Sequence, residues 1–323
     1  MLLACACGGM QSALEPAGPQ AGHIATLWWV LLAISVAVWV AVCAALAMAL
    51  WRRDRTIVEA PTDGEPAKVR SVAIAGAFTT VILVGLVTYS VMVGRETSRA
   101  PSPETVAVEV DVIGHQWWWE LRYRDARSNH SFTTANELRI PVGRPVVLRL
   151  QSRDVIHSFW VPNLHGKLDL LPGRTNTLWL QADRAGRWRG QCAEFCGVQH
   201  AKMALLVIAE PDEAFEAWSE GYRAPVRESL AVPLSRGASV FREAQCVLCH
   251  SVRSVEAFAT AGPDLTRLAE RHTIASGTLR NTPDNLRAWI TDPQAIKPGT
   301  FMPATPLDPE QLDALVDYLG SLR

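Results

Sequence analysis

Cys246-Val247-Leu248-Cys249-His250 sets two thiols three residues apart with an imidazole directly behind them. Such thiols can add to the two vinyl groups of one porphyrin, and the adjacent histidine then falls beneath the iron as an axial ligand. The pattern is read as a covalent c-type haem attachment site; the bland alternative is a redox C-x-x-C with an incidental histidine. A sixth ligand is expected from Lys297-Pro298-Gly299-Thr300-Phe301-Met302-Pro303, where Met302 stands in a Pro/Gly-framed loop and not in a core stretch. A thioether opposite histidine raises the reduction potential, which suits an electron carrier. His272 is the rival donor, but between Arg271 and Thr273 it reads as a surface residue.

A second donor set lies upstream. From Gln191 to Met203 the chain reads QCAEFCGVQHAKM, offering Cys192, Cys196, His200 and Met203 at intervals of four, four and three. A further imidazole, His157, stands 35 residues before Cys192 in Asp154-Val155-Ile156-His157-Ser158-Phe159-Trp160. Soft thiolates and a thioether alongside imidazole favour copper over hard cations. A structural zinc site would take two Cys and two His without Met, and a blue-copper site takes one Cys. This set suits two coppers bridged by two thiolates. The alternative is a Cys192–Cys196 disulfide with unrelated His and Met.

These donors need a scaffold, and its first part is apolar. Ile24 to Leu50 is 27 residues without a formal charge, and Val72 to Val93 is 22 more. At about 1.5 Å rise per residue both exceed a hydrocarbon core of about 30 Å. Transmembrane helices are expected over 24–50 and 72–94. Residues 1–23 contain no Lys or Arg, whereas the short connector holds Arg52, Arg53, Arg55, Lys68 and Arg70. By the positive-inside rule the connector is cytoplasmic, and both termini and both redox domains lie outside. Leu2-Leu3-Ala4-Cys5-Ala6-Cys7-Gly8-Gly9 has the look of a bacterial lipobox with Cys7 or Cys5 as the lipid-bearing residue, although a basic n-region and most of an h-region are missing.

The hydrophobic fraction of 49% fits two membrane helices averaged with two polar domains. A net charge of −1 argues against a nucleic-acid role. Of seven cysteines, Cys5 and Cys7 are terminal, Cys43 falls in a membrane helix, and the other four belong to the two donor sets. Val106, Val108, Val110 and Val112 alternate with Ala107, Glu109 and Asp111, a strand with one buried face. Val146 to Leu150 and Leu205 to Ile208 are further apolar runs bounded by Pro/Gly turns. A helical stretch, Glu213 to Tyr222, opens a connecting segment over 214–232. A last helix is expected from Asp308 as cap, with Pro309 in its first turn and Leu312, Leu315, Val316 and Leu319 on one face.

From about Pro233 to Arg323 the chain resembles a small class I cytochrome c. Residues 24–213 resemble subunit II of the haem–copper cytochrome c oxidases, with its binuclear CuA centre. Gly114-His115-Gln116-Trp117-Trp118-Trp119 is similar to that family's aromatic signature, and Leu171-Pro172-Gly173-Arg174 to its later turn motif. The resemblance implies a cupredoxin-like sandwich over about 105–213, followed by the haem domain over 233–323. It implies His157, Cys192, Cys196, His200 and Met203 as side-chain copper ligands, with Glu194 giving its backbone carbonyl. The Glu194 side chain would face a magnesium site shared with subunit I, and Trp117 would be the electron-input residue on the surface near copper. Trp118 stands where the family commonly has Tyr, and a membrane-helix carboxylate associated with proton uptake in some members is not assigned to Glu65.

The expected function is electron input to a respiratory oxidase of the bacterial inner membrane. Haem c would accept electrons from cytochrome c or another donor and pass them through dicopper to haem A in subunit I, with subunit III as a further partner. A flexible tether would hold the haem at an effective concentration of order mM. A nitric-oxide or nitrous-oxide reductase component and a membrane-anchored copper-trafficking protein are the alternatives. The paired membrane helices and aromatic signature count against the first, the haem against the second.

Overall fold

The computed structural model describes residues 9–52, 65–124, 131–224 and 232–323. Cys5 and Cys7 of the lipobox-like start therefore lie outside the described residues, as does the Glu65 side chain. Two compact units divide the chain, one of residues 22–99 and one of residues 1–21 with 100–323.

The first unit holds two helices, α1 (Pro19–Trp51) and α2 (Glu65–Ser98), long and apolar enough to cross a membrane. Each extends beyond its uncharged stretch, because charge ends a membrane span without ending a helix: Lys68 and Arg70 continue the helical ladder of α2. Trp39, Val42, Leu46, Phe78, Val81 and Val87 stand exposed along the two helices. In water such surface would be an aggregation hazard; in lipid it is the solvated face.

The second unit begins with a β-sandwich. One sheet has the order β3-β2-β1-β5-β8 and is built from β1 (Val108–His115), β2 (Trp118–Arg124), β3 (Phe132–Ala135), β5 (Val146–Ser152) and β8 (Asn176–Leu180). The other has the order β4-β10-β9-β6-β7, from β4 (Glu137–Pro141), β6 (His157–Trp160), β7 (Leu168–Leu170), β9 (Gly186–Cys192) and β10 (Ala204–Glu210). Val110, Val112, Leu148, Leu150, Leu205 and Val207 meet in the core between the sheets. The two-residue alternation of β1 is broken at Asp111, which is buried because Arg124 and Arg149 pair with it at 3.0 and 3.3 Å. Ala17 also enters this core, and Asn163 ties down the segment leading to it through Gly9 and Glu15 carbonyls at 3.2 and 2.9 Å.

The helical stretch expected at the sandwich's end is α3 (Asp212–Arg223). It is not free linker over its first half. Phe215, Trp218 and Tyr222 recur at helical spacing, and Trp218 and Tyr222 pack into an aromatic cluster with Tyr123 and Phe132. Burial pushes the Tyr123 hydroxyl's pKa far up.

The remaining helices are α4 (Val232–Glu243), α5 (Pro283–Thr291), α6 (Pro293–Ile296) and α7 (Pro309–Ser321). α7 starts where expected, with Asp308 accepting from Gln311 N at 2.8 Å in a full capping box. Its Leu315, Val316 and Leu319 join Phe241 of α4 and Leu286 and Ile290 of α5 in a separate apolar core. The sandwich core and this helical core share no residue.

Candidate metal centres

His157 opens β6 and is completely buried; Cys192 closes β9 beside Phe159 in the ladder. The loop from Cys192 to Met203 then folds back, with Cys192 N donating to Met203 O at 2.9 Å. This closure brings the widely spaced donors together. Cys192 Sγ stands 3.7 Å from Cys196 Sγ and 3.8 Å from His157 Nδ1, while Cys196 Sγ lies 3.7 Å from His200 Nδ1 and 3.8 Å from Met203 Sδ. The Glu194 carbonyl is 3.2 Å from Cys192 Sγ. Both cysteines are free, which removes the disulfide alternative.

The electrostatics suit cations. Cys192 is held well below the ordinary thiol range by the Cys196 thiol, with burial opposing and His157 assisting. Cys196 is pushed up chiefly by its hydrogen bond with Cys192, then by burial. A second negative sulfur at this separation needs positive charge nearby, which copper supplies when bound.

Asp154, three residues before His157, has a role that its sequence position does not announce. Its Oδ1 meets His157 Nε2 at 2.7 Å, leaving Nδ1 on the thiolate side, and its Oδ2 accepts from Gln116 N at 2.7 Å. A carboxylate on the far nitrogen is the usual orienting partner of a metal-bound histidine. Burial works against ionisation of Asp154, but hydrogen bonds from His157 and two main-chain amides hold its pKa below the usual range. Gly114 completes the setting: an added Cβ would stand 2.7 Å from His157 Cδ2, so only glycine lets β1 pass the ring. Asp154→Asn is expected to lower copper affinity about 10- to 100-fold with the sandwich intact, the range for loss of an orienting partner. Copper titration of the purified chain checks it.

Glu194 is half-buried on the same loop. Among the described residues the only group of three or more His, Cys, Asp or Glu able to hold one ion is His157, Cys192 and Cys196.

The candidate haem donors Cys246, Cys249, His250 and Met302 line a cavity of about 380 Å³. His250 Nδ1 lies 2.8 Å from Pro263 O, which would leave Nε2 for iron, and burial lowers the pKa of the ring. Gly262 is required beside it, since a Cβ there would come within 2.7 Å of the ring. The Gln294 amide donates to the carbonyls of Thr300 and Met302 at 2.8 and 3.2 Å, fixing the methionine loop. His272 is exposed and is not among the cavity's lining residues. The largely apolar cavity, with two thiols, a histidine and a methionine in its lining, fits haem.

The sandwich supplies part of the cavity wall through Gln116, Trp117, Trp118 and Asn136. Trp117 is expected on the surface near copper, but only 6% of it is exposed. The reason is the haem domain. Phe301 stacks on Trp117 at 5.2 Å between ring centroids, and Lys297 Nζ donates to Trp117 O at 3.1 Å. On its other side Trp117 Nε1 donates to Cys196 O at 2.9 Å.

The two ligand loops also touch directly. Gln199 and Lys202, next to the candidate copper ligands His200 and Met203, donate to the carbonyls of Pro298 and Ile296 just before Met302. Further along the junction Glu137 of β4 accepts from His272 N and Thr273 N at 2.7 and 2.9 Å. None of these contacts was foreseen. Each joins residues on the order of a hundred apart, and the residue types alone are ordinary surface chemistry.

A chain with two membrane-length helices, a cupredoxin-like sandwich holding a dithiolate copper site and a cytochrome c fold belongs to the class of membrane-anchored electron carriers. Residues 126–210 match the family described as cytochrome c oxidase subunit II, periplasmic domain, and residues 234–323 match cytochrome c. The chain is 38% identical over 321 residues to cytochrome c oxidase subunit 2 of Alkalihalophilus pseudofirmus, covering 97% of this chain and 91% of that one. It is 34% identical over 227 residues to the same subunit of Bacillus sp. strain PS3, covering 67% of this chain and 62% of that one. The crystal structure of the periplasmic domain of subunit II of cytochrome oxidase from Bradyrhizobium japonicum is similar at 29% identity and a TM-score of 0.36, covering 39% of this chain and 97% of that one. The chain belongs to the cytochrome c oxidase subunit II family, in a form carrying a C-terminal cytochrome c domain.

Proposed function

We propose that this chain takes electrons at a covalent haem c and delivers them through a CuA pair to haem A in oxidase subunit I, where oxygen is reduced. The metal groups carry the electron; the chain positions them, excludes water and keeps the path short. The observation carrying this reading is Trp117, which lines the haem cavity and hydrogen-bonds the carbonyl of copper-ligand Cys196. His157, Cys192, Cys196, His200 and Met203, with the Glu194 carbonyl, would hold copper. Cys246 and Cys249 would bond the haem, with His250 and Met302 as axial ligands.

The Glu194 carboxylate would share magnesium with subunit I, and subunit III would complete the complex. By the basic residues of the connector, both redox domains face the outer side of a bacterial inner membrane. The donor is cytochrome c or a similar carrier. The contacts between ligand loops favour a docked haem over a swinging one, so transfer to copper need not await an encounter.

Ending the chain before Val232 tests this. The sandwich core draws nothing from the haem domain's core, so residues up to α3 should fold, load copper and assemble. Oxidase activity with a small donor that reduces copper directly should persist. Soluble cytochrome c should then reduce copper directly at the uncovered Trp117, with a concentration and salt dependence different from that of the intact chain, where the encounter is with the haem domain. A truncated chain that cannot hold copper would make the haem domain structural and remove the relay.

A further inference from the structure

The haem cavity's wall contains two cations, Arg271 and Lys297, and no aspartate or glutamate. Both are buried, Arg271 at 7% and Lys297 at 3% exposure. Their hydrogen bonds go to uncharged oxygens. Arg271 Nη2 donates to the Asp264 carbonyl and, at 3.4 Å, to the Thr134 hydroxyl; Lys297 Nζ donates to the carbonyls of Trp117 and Ala275 at 3.1 and 3.4 Å. Arg271 Nε is buried and finds no hydrogen-bond partner among the described residues. Burial and the nearby Lys202 ammonium push the Lys297 pKa down to about 8, with Cys196 opposing.

A buried cation served only by carbonyls is costly unless an anion shares its surroundings. Arg271 already has the buried Asp264 carboxylate close enough to feel its charge. Lys297 has no carboxylate beside it in the cavity wall, and haem brings two, its propionates. We propose that Lys297 is the counter-cation for a haem propionate, and that the copper domain completes this site by holding Lys297 through the Trp117 carbonyl. This inference rests on haem occupying the cavity, and deepens that reading. It makes the haem pocket a product of both domains and directs the haem's carboxylate edge to the wall shared with Trp117. Positive charge there favours the reduced, more negative haem, so Lys297 raises the potential of the carrier that feeds copper.

The test uses the full-length, haem-loaded chain. Lys297→Gln keeps an amide donor for the Trp117 carbonyl but removes the charge; Lys297→Arg restores the charge. With Gln, the haem oxidation equilibrium should shift about tenfold toward the oxidised form, a fall of about 59 mV for one electron. The far-red Met–iron absorption band should remain, showing that the Met302 loop is seated. Redox-difference infrared spectra of haem labelled with heavy carbon in its carboxylates should show a moved carboxylate band with Gln and a near-native band with Arg.

An unchanged potential and carboxylate band with Gln would overturn the proposal. Loss of the Met–iron band in both variants would also overturn it, since Lys297 would then hold the loop and not the haem. Failure of the underlying reading looks different: the unaltered chain would carry no covalent haem at all.

Discussion

Replacing Cys192 by Ser is expected to abolish the mixed-valence dicopper signal while leaving the haem spectrum intact. In the proposed centre both sulfurs would be shared between both metals, so removing one would not leave half a centre. Serine's hydroxyl is a harder donor and does not ionise as a thiol does, so it cannot bridge two soft coppers. The surroundings sharpen the effect. Cys192 is 1% exposed and 3.7 Å from Cys196 Sγ, so its position is closed to solvent. The haem donors lie around a separate cavity and on a separate apolar core, so Cys246, Cys249, His250 and Met302 should still take haem. Electron paramagnetic resonance of the oxidised chain, with copper counted per haem, checks both halves. A variant keeping two electronically coupled coppers would exclude the shared-thiolate arrangement.

Ligand chemistry was legible because metals dictate residue type and local spacing. C-x-x-C-H and the Cys192–Met203 run need only a compact loop to converge, and β6 brings His157 to that loop. Strand and cap signals were equally local: alternation for β1, and Asp308 with Gln311 for α7. What was hidden depended on contacts between distant segments. Lys297 reads as a solvated lysine in a Pro/Gly loop, and only the approach of Trp117 makes it a buried cation. Trp117 was expected at the surface because nothing in its own segment announces that Phe301 will cover it. Glu137 is an isolated acid in sequence, yet it accepts main-chain hydrogen bonds from the haem domain. Asp154 lay in plain view three residues before His157, but an aspartate at that spacing is common enough to be uninformative without the 2.7 Å contact.

Met302→Ala should leave haem attached and sharply lower its potential. Attachment depends on Cys246 and Cys249, and His250 keeps its place through Pro263 O at 2.8 Å, so the proximal side is undisturbed. The other face loses its only thioether, and the small alanine opens the iron to exogenous ligands. Axial ligands tune haem potentials over about 0.8 V. A fall of about 180 mV is therefore within reach, and at about 59 mV per tenfold it would shift the equilibrium with copper about a thousandfold. The direction matters for the relay: a more reducing haem still feeds copper, but a donor of fixed potential can no longer fill it. Reduction of haem by soluble cytochrome c should thus collapse, while reduction of copper by a small direct donor continues. Gln294 would still hold the Thr300 carbonyl, so the loop's seat on the copper domain through Lys297, Gln199 and Lys202 should survive. Potentiometry with binding of imidazole or carbon monoxide checks the outcome. If the alanine variant kept its potential and refused both ligands, while a His272 variant changed, Met302 would not be the axial donor.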